Sequence, residues 1–305
     1  MTLALVRSID FPRHPSGGFD HGDVHLRTGR VFVAHTAVGT VEVLDGERGA
    51  HHATIPGCPE ASGVLCAQGE GLVFAAARGA GKVLVIEAAS GEVVEEVAVG
   101  PKPNGLAWDP QRQQVLVADV GDFRARLVDL QAGRVVTETV LPGRPRWCAY
   151  DSLGDRFLVN VRDPASVAVL AAATLAPQAQ WPVSSAGPHG LDLDAEHGRA
   201  FVACDGGKVV SLDLETGREV AGVAIAGEPD AIWYNPDRSH LYVAIGQPGL
   251  VDVVDTREMA LAQALPTEAG AHTTAFDRTR RRLYVFLPRS CRAAVYEEVQ
   301  ARDAR

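Results

Sequence analysis

Residues 187–227 open Gly187-Pro-His-Gly-Leu-Asp-Leu-Asp194 and continue through Arg199-Ala-Phe-Val-Ala203, Lys208-Val-Val-Ser-Leu-Asp213 and Arg218 to Ala226. Each run is rich in Val, Leu, Ile and Phe or alternates apolar with polar, and each gap carries Gly, Asp or Glu-Thr-Gly. That is the pattern of four short strands joined by tight turns. One such unit cannot bury both faces of its sheet, so it needs copies of itself on either side.

The copies are found from the entry phrase. The position of His189 recurs as Asp20, Glu60, Asn104, Arg146, His189, Asp230 and His272, at steps of 40, 44, 42, 43, 41 and 42 residues. This is the period of a four-stranded propeller blade, and seven entries predict seven blades. A second phrase checks the first: Gly39-Thr-Val-Glu-Val-Leu-Asp45, Gly81-Lys-Val-Leu-Val-Ile-Glu87, Gly207-Lys-Val-Val-Ser-Leu-Asp213 and Gly249-Leu-Val-Asp-Val-Val-Asp255 start 42, 126 and 42 residues apart. The chain therefore reads as an all-β, seven-bladed propeller over residues 1–305, one closed domain in which each blade packs on its neighbours.

The ends complete this picture. Residues 2–10 have the alternation of an outer strand, while the last repeat supplies only three, at 273–276, 282–287 and 293–299. Three plus one closes the ring with no exposed inner edge. Residues 301–305 are expected to fray.

Composition sets the class of partner. A net charge of −9 repels nucleic-acid phosphates and anionic lipid, so neither is expected to bind. No run approaches the ~18 apolar residues of a membrane span. The N-terminal run lacks a secretory cleavage pattern, and Cys58, Cys66, Cys148, Cys204 and Cys291 are odd in number and scattered over five blades. They read as reduced thiols of a cytoplasmic protein.

Asp109, Asp151, Asp194, Asn235 and Asp277, with His25 in the equivalent place, close the first strands and read as turn makers. Antiparallel connection puts the strand entries and the second-to-third turns on one face. The mouth of the central channel should thus gather the entry column and, from the turns, His35, Asp119, Arg162-Asp163, Cys204-Asp205 and Arg289.

The phrases Arg30-Val-Phe-Val-Ala-His35, Arg199-Ala-Phe-Val-Ala-Cys204 and His240-Leu-Tyr-Val-Ala-Ile245, each followed by a Gly-x-Val-x-Val-type strand, resemble the YVTN-type β-propeller repeat over nearly the whole chain. The resemblance implies the fold. It reaches binding propellers as well as relatives of lactone-cleaving and virginiamycin B lyase-type propellers, whose catalytic motifs do not map onto this chain residue by residue.

Chemistry is expected at the mouth. His189, Asp230, His272 and Asp20, with His21 beside the last, come from four consecutive blades and are ligand types suited to one divalent ion, whether Zn, Mn, Fe, Mg or Ca. His21 reads equally as a ligand or as the partner of one. Glu60, Asn104, Asp119 and Arg146 are the substrate-binding candidates. Arg146 would hold a carboxylate or oxyanion or else pair with Glu60 or Asp119, and His35 is the candidate general base. Two functions follow. One is a metal-dependent hydrolase or lyase acting on a small polar molecule; the other is a non-catalytic propeller that binds a ligand or protein partner at the same face.

Overall fold

The computed structural model describes residues 2–12, 14 and 18–299; the tail 301–305 lies outside them. Twenty-eight strands form seven four-stranded antiparallel sheets. The innermost strands of blades 1 to 7 are Phe19–His25, Ala61–Ala67, Pro103–Asp109, Pro145–Asp151, Pro188–Asp194, Pro229–Asn235 and Thr273–Asp277. Blade 7 takes its outer strand from the other end of the chain, because Thr2–Asp10 pairs antiparallel with Arg292–Val299. Among the described residues no helix is long and apolar enough to cross a membrane.

The burial pattern of each strand follows from its place in the blade. Second strands such as Arg199–Cys204 and His240–Ile245 are buried at five consecutive positions, since neighbouring blades cover both faces. Outer strands such as Arg134–Val140 and Glu219–Ala224 alternate, with one face on the blade and the other in water. The core accordingly lies between blades: Phe201, Ala203 and Val209 of blade 5 pack with Ile232, Tyr234, Leu241 and Val243 of blade 6. All five cysteines are buried and unpaired. The turn makers act as read: Asp151 accepts from the amides of Leu153 and Gly154, and Asp277 from that of Arg280.

Polar bonds between blades add direction to this apolar stacking. Asp23 accepts from the Cys66 amide at 2.7 Å, and the equivalent Asp192 accepts from the Tyr234 amide at 2.6 Å. Burial raises the Asp23 carboxyl to about 7 and the Asp192 carboxyl to about 6.

Register decides what faces the mouth. In blades 1 to 6 the ladder between first and second strands shifts just after the first residue, as between Phe19 and Gly22 or Pro229 and Ile232. The two residues after that first position are re-aimed by this bulge. Those next in line are Asp20, Ser62, Asn104, Arg146, His189, Asp230 and His272, so Ser62 rather than Glu60 stands in the column. Glu60 lies two residues earlier, exposed, 3.8 Å from Lys102.

The second bulge position is His21, Gly63, Gly105, Trp147, Gly190, Ala231 and Thr273; its Cβ direction faces the entry of the next blade, and only the long side chains of His21 and Trp147 reach across the axis. His21 of blade 1 and Trp147 of blade 4 stack face to face across it, ring centroids 4.0 Å apart and 7° from parallel. Gly190 admits the next blade, since a Cβ there would sit 2.4 Å from the Asp230 carbonyl oxygen.

Candidate functional site

The mouth holds a connected set of imidazoles and carboxylates from blades 5, 6, 7 and 1. Asp230 is its hub: Oδ2 accepts from His272 Nδ1 at 2.6 Å, and Oδ1 lies 3.1 Å from His189 Nε2 and 3.7 Å from His21 Nε2. His189 turns its other nitrogen to Asp205 Oδ1 at 2.9 Å, and His21 turns Nδ1 to Asp20 Oδ1 at 2.6 Å. Asp20 is clamped from outside by Arg78, whose Nη2 lies 2.6 Å from Oδ2. His21 Nε2 and Asp230 Oδ1 are buried without a directed hydrogen bond.

Charge explains the protonation states. Burial alone would raise the Asp230 carboxyl, but the charge and hydrogen bond of His189, together with His21 and His272, hold it well below the usual carboxylate range. Burial disfavours charge on His189 too, yet Asp230 and the bond to Asp205 outweigh it and lift the imidazolium to about 9. His272 is raised by Asp230 in the same way against the same opposition. For Asp20 burial works upward, and His21 overcomes it to leave the carboxyl low. At neutral pH the His189 imidazolium thus faces the Asp230 and Asp205 carboxylates in low dielectric.

Blade 4 adds cations. Arg146 is half-buried, with its Nε enclosed and unpartnered, and Arg162 Nη2 stands 2.7 Å from Asp205 Oδ2. Burial, with the neighbouring charge of Arg144, pushes the Arg146 guanidinium below its ordinary value. Beside Asp205 a depression of about 400 Å³ is lined by Arg162, Asp163, Gly187 and Gly206.

Of the residues picked from sequence, His189, Asp230, His272, Asp20 and His21 come together, with Arg146 within electrostatic reach of His189 and Asp230. Besides Glu60, which stands off the column, two more do not reach the mouth. His35, the candidate base, is 1% exposed, stacked on Phe19 at 4.5 Å with Nδ1 3.5 Å from Glu42. Asp119 is fully buried and spends its carboxylate on the amides of Lys102 and Gly121, with Arg126 at 3.4 Å. The reason is shared: both end the second strand, a position packed between blades and held elsewhere by Ala77, Val161, Cys204 and Ile245. The residue one further on faces the mouth, in the series Thr36, Arg78, Val120, Arg162, Asp205, Gly246 and Pro288. Asn104 keeps its column place but is only 4% exposed, while Arg78 and Trp147 were not anticipated.

Among the described residues no group of three or more His, Cys, Asp or Glu side chains is already arranged to hold a metal ion. No protein-family model matches the chain, and no curated protein matches it. The resemblance to YVTN-type repeats rests on the repeat phrases themselves.

Proposed function

We propose that the mouth is the active centre of a metal-dependent enzyme that opens a lactone-type ester, or eliminates across a C–O bond, in a small polar molecule. One observation carries this reading. His21 and His189 each give Nδ1 to a carboxylate of their own and turn Nε2 toward the same oxygen of Asp230. A carboxylate behind an imidazole is the arrangement that orients metal-ligating histidines. His21 Nε2, His189 Nε2 once its proton is displaced, and Asp230 Oδ1 form the donor set, and His21 Nε2 and Asp230 Oδ1 are buried without a directed hydrogen bond. The donor chemistry fits a first-row divalent ion.

Bound there, such an ion would polarise a carbonyl or acidify a water. The chain's own residues supply the rest. Asp20, fixed by Arg78, keeps His21 in place, and Asp205 does the same for His189. His272, with a side chain 38% exposed, is the imidazole open to a molecule in the mouth and the one placed to pass it a proton.

The test is elemental analysis after incubation with zinc, manganese and iron(II), joined to a turnover assay on a panel of simple lactones. His21→Ala and His189→Ala should lose the ion, and His272→Ala should keep it and lose turnover. A chain that takes up no metal overturns this reading.

A second reading, a non-catalytic propeller that binds its ligand at the same mouth, is favoured by one observation. His189 Nε2 already lies 3.1 Å from Asp230, so ion pairing alone satisfies much of the centre. Ligand binding by a protein that takes up no metal would establish it.

A further inference from the structure

We propose that blade 4 carries a subsite for a carboxylate, built by Arg146 and Arg162 beside the depression between blades 4 and 5. The ligand is then a small carboxylate-bearing molecule. Calling that molecule a substrate rests on the catalytic reading above; the anion site itself does not.

Three arginines of one blade meet here. Arg144 and Arg146 flank the entry of the first strand, and Arg162 follows the second, its amide bonded to the Arg144 carbonyl at 2.9 Å. Like charges so close repel, and a protein without use for them would have no reason to enclose one. Yet Arg146 Nε is buried with no acceptor, and an unsatisfied donor on a charged group is more costly to enclose than one on a neutral group.

The acidic neighbours do not fill the need. Arg162 approaches Asp205 Oδ2 at 2.7 Å, but off the N–H direction, so that oxygen has an ionic neighbour and no directed hydrogen bond. Asp230 is occupied by three histidines. The guanidinium fork of Arg162 therefore has donors to spare at the edge of a space of about 400 Å³, within the ~300–1,000 Å³ of small-molecule sites. Arg146, on the first strand of the same blade, has its Nε buried without an acceptor and is acted on by the charges of both Asp205 and Asp230.

A planar two-oxygen anion matches a guanidinium fork. Asp163 and Asp205 line the same depression, so a phosphate, which concentrates close to two charges on one centre, is repelled more than a carboxylate group, which brings one charge, the second charge of a diacid lying at its far end. The chemistry selects the carboxylate.

The experiment is titration calorimetry on protein dialysed against EDTA, in low-salt buffer without added metal. The probes are succinate, its uncharged diamide and inorganic phosphate. Succinate should bind, the diamide should not, and phosphate should bind more weakly. Arg146→Gln should weaken succinate on the order of tenfold, the scale of one charged hydrogen bond, and Arg257→Gln, an exposed arginine of the outer surface, should change nothing. If Arg146→Gln does not fold, Arg162→Lys, which keeps the charge and loses the fork, should weaken succinate several-fold. Equal binding of diacid and diamide, binding of phosphate alone, or indifference to both arginine variants overturns the subsite. Because no metal is present, succinate binding by a chain that never takes up metal upholds the subsite while the catalytic reading falls. Metal uptake without succinate binding sinks the subsite alone.

Discussion

Gly190→Ala is the sharpest probe of how the ring builds its mouth. The added Cβ would lie 2.4 Å from the Asp230 carbonyl oxygen and 2.9 Å from Ile232 Cγ2. Ordinary contact needs about 3.2 Å or more, so blade 6 must retreat by several tenths of an ångström at its entry. Neither obstacle is a flexible side-chain tip, because one is backbone and the other a β-branched methyl packed between blades. Overpacking of this kind costs about 1–3 kcal/mol. With an unfolding entropy of about 2.1 cal/mol/K per residue, the 305-residue chain should melt roughly 2–5 °C lower. The displaced segment carries Asp230, so metal or anion binding should weaken in the same variant. Gly69→Ala is the control, since its Cβ would meet nothing within 4 Å and should leave melting unchanged or slightly raised. Calorimetric melting of both proteins decides the matter. If Gly190→Ala melted with the parent, the close approach of blades 5 and 6 would be wrong.

Three further outcomes are expected. Removing residues 2–10 takes away the strand that pairs with Arg292–Val299 and buries Leu3 and Ile9; the whole ring should melt many degrees lower, and a shift of only a degree or two would show that closure contributes little. Asp192, raised by burial to about 6, holds its proton better folded than unfolded, so its contribution to stability falls as pH rises from the ordinary carboxylate value through 6. Asp192→Asn should gain about 2 kcal/mol relative to the parent between pH 4.5 and 7.5, read by urea denaturation at the two pH values, and no relative gain would mean that the carboxyl is ionised throughout. Burial pushes the Cys58 and Cys204 thiols up to about 12 and Cys66 and Cys148 higher still. A thiol reagent should label the native protein slowly and all five cysteines in denaturant, and rapid native labelling would contradict the packing.

The sequence carried the ring, because a period near 42 residues is imposed by the chain length of four strands and three turns. It carried the histidine arc for the same reason, since equivalent positions on consecutive blades meet at the axis. Phase within a blade was harder to read. Glu60 entered the column through the likeness of Gly-Cys-Pro-Glu to Gly-Glu-Pro-Asp, at the cost of uneven steps of 40 and 44; Ser62 restores 42 and 42. Antiparallel connection alone puts His35 and Asp119 at the mouth, yet their equivalents Ala77, Val161 and Ile245 are apolar, a sign that this position packs between blades. Shifting by one would have found Arg78. What no spacing reveals is the bulge, which turns His21 into the channel where strict alternation would have grouped it with Asp23 and His25, and so brings it onto Trp147.

That stacked pair has a kinetic consequence. The rings of His21 and Trp147 meet across the axis, 4.0 Å apart and nearly parallel, with a void of only about 10 Å³ beside them. The two rings, from blades 1 and 4, occupy the middle of the ring of blades. If a molecule is turned over at the mouth as proposed, this pair stands between it and the far face, so a spent molecule would leave against the entry of a fresh one and release would set the pace at high concentration.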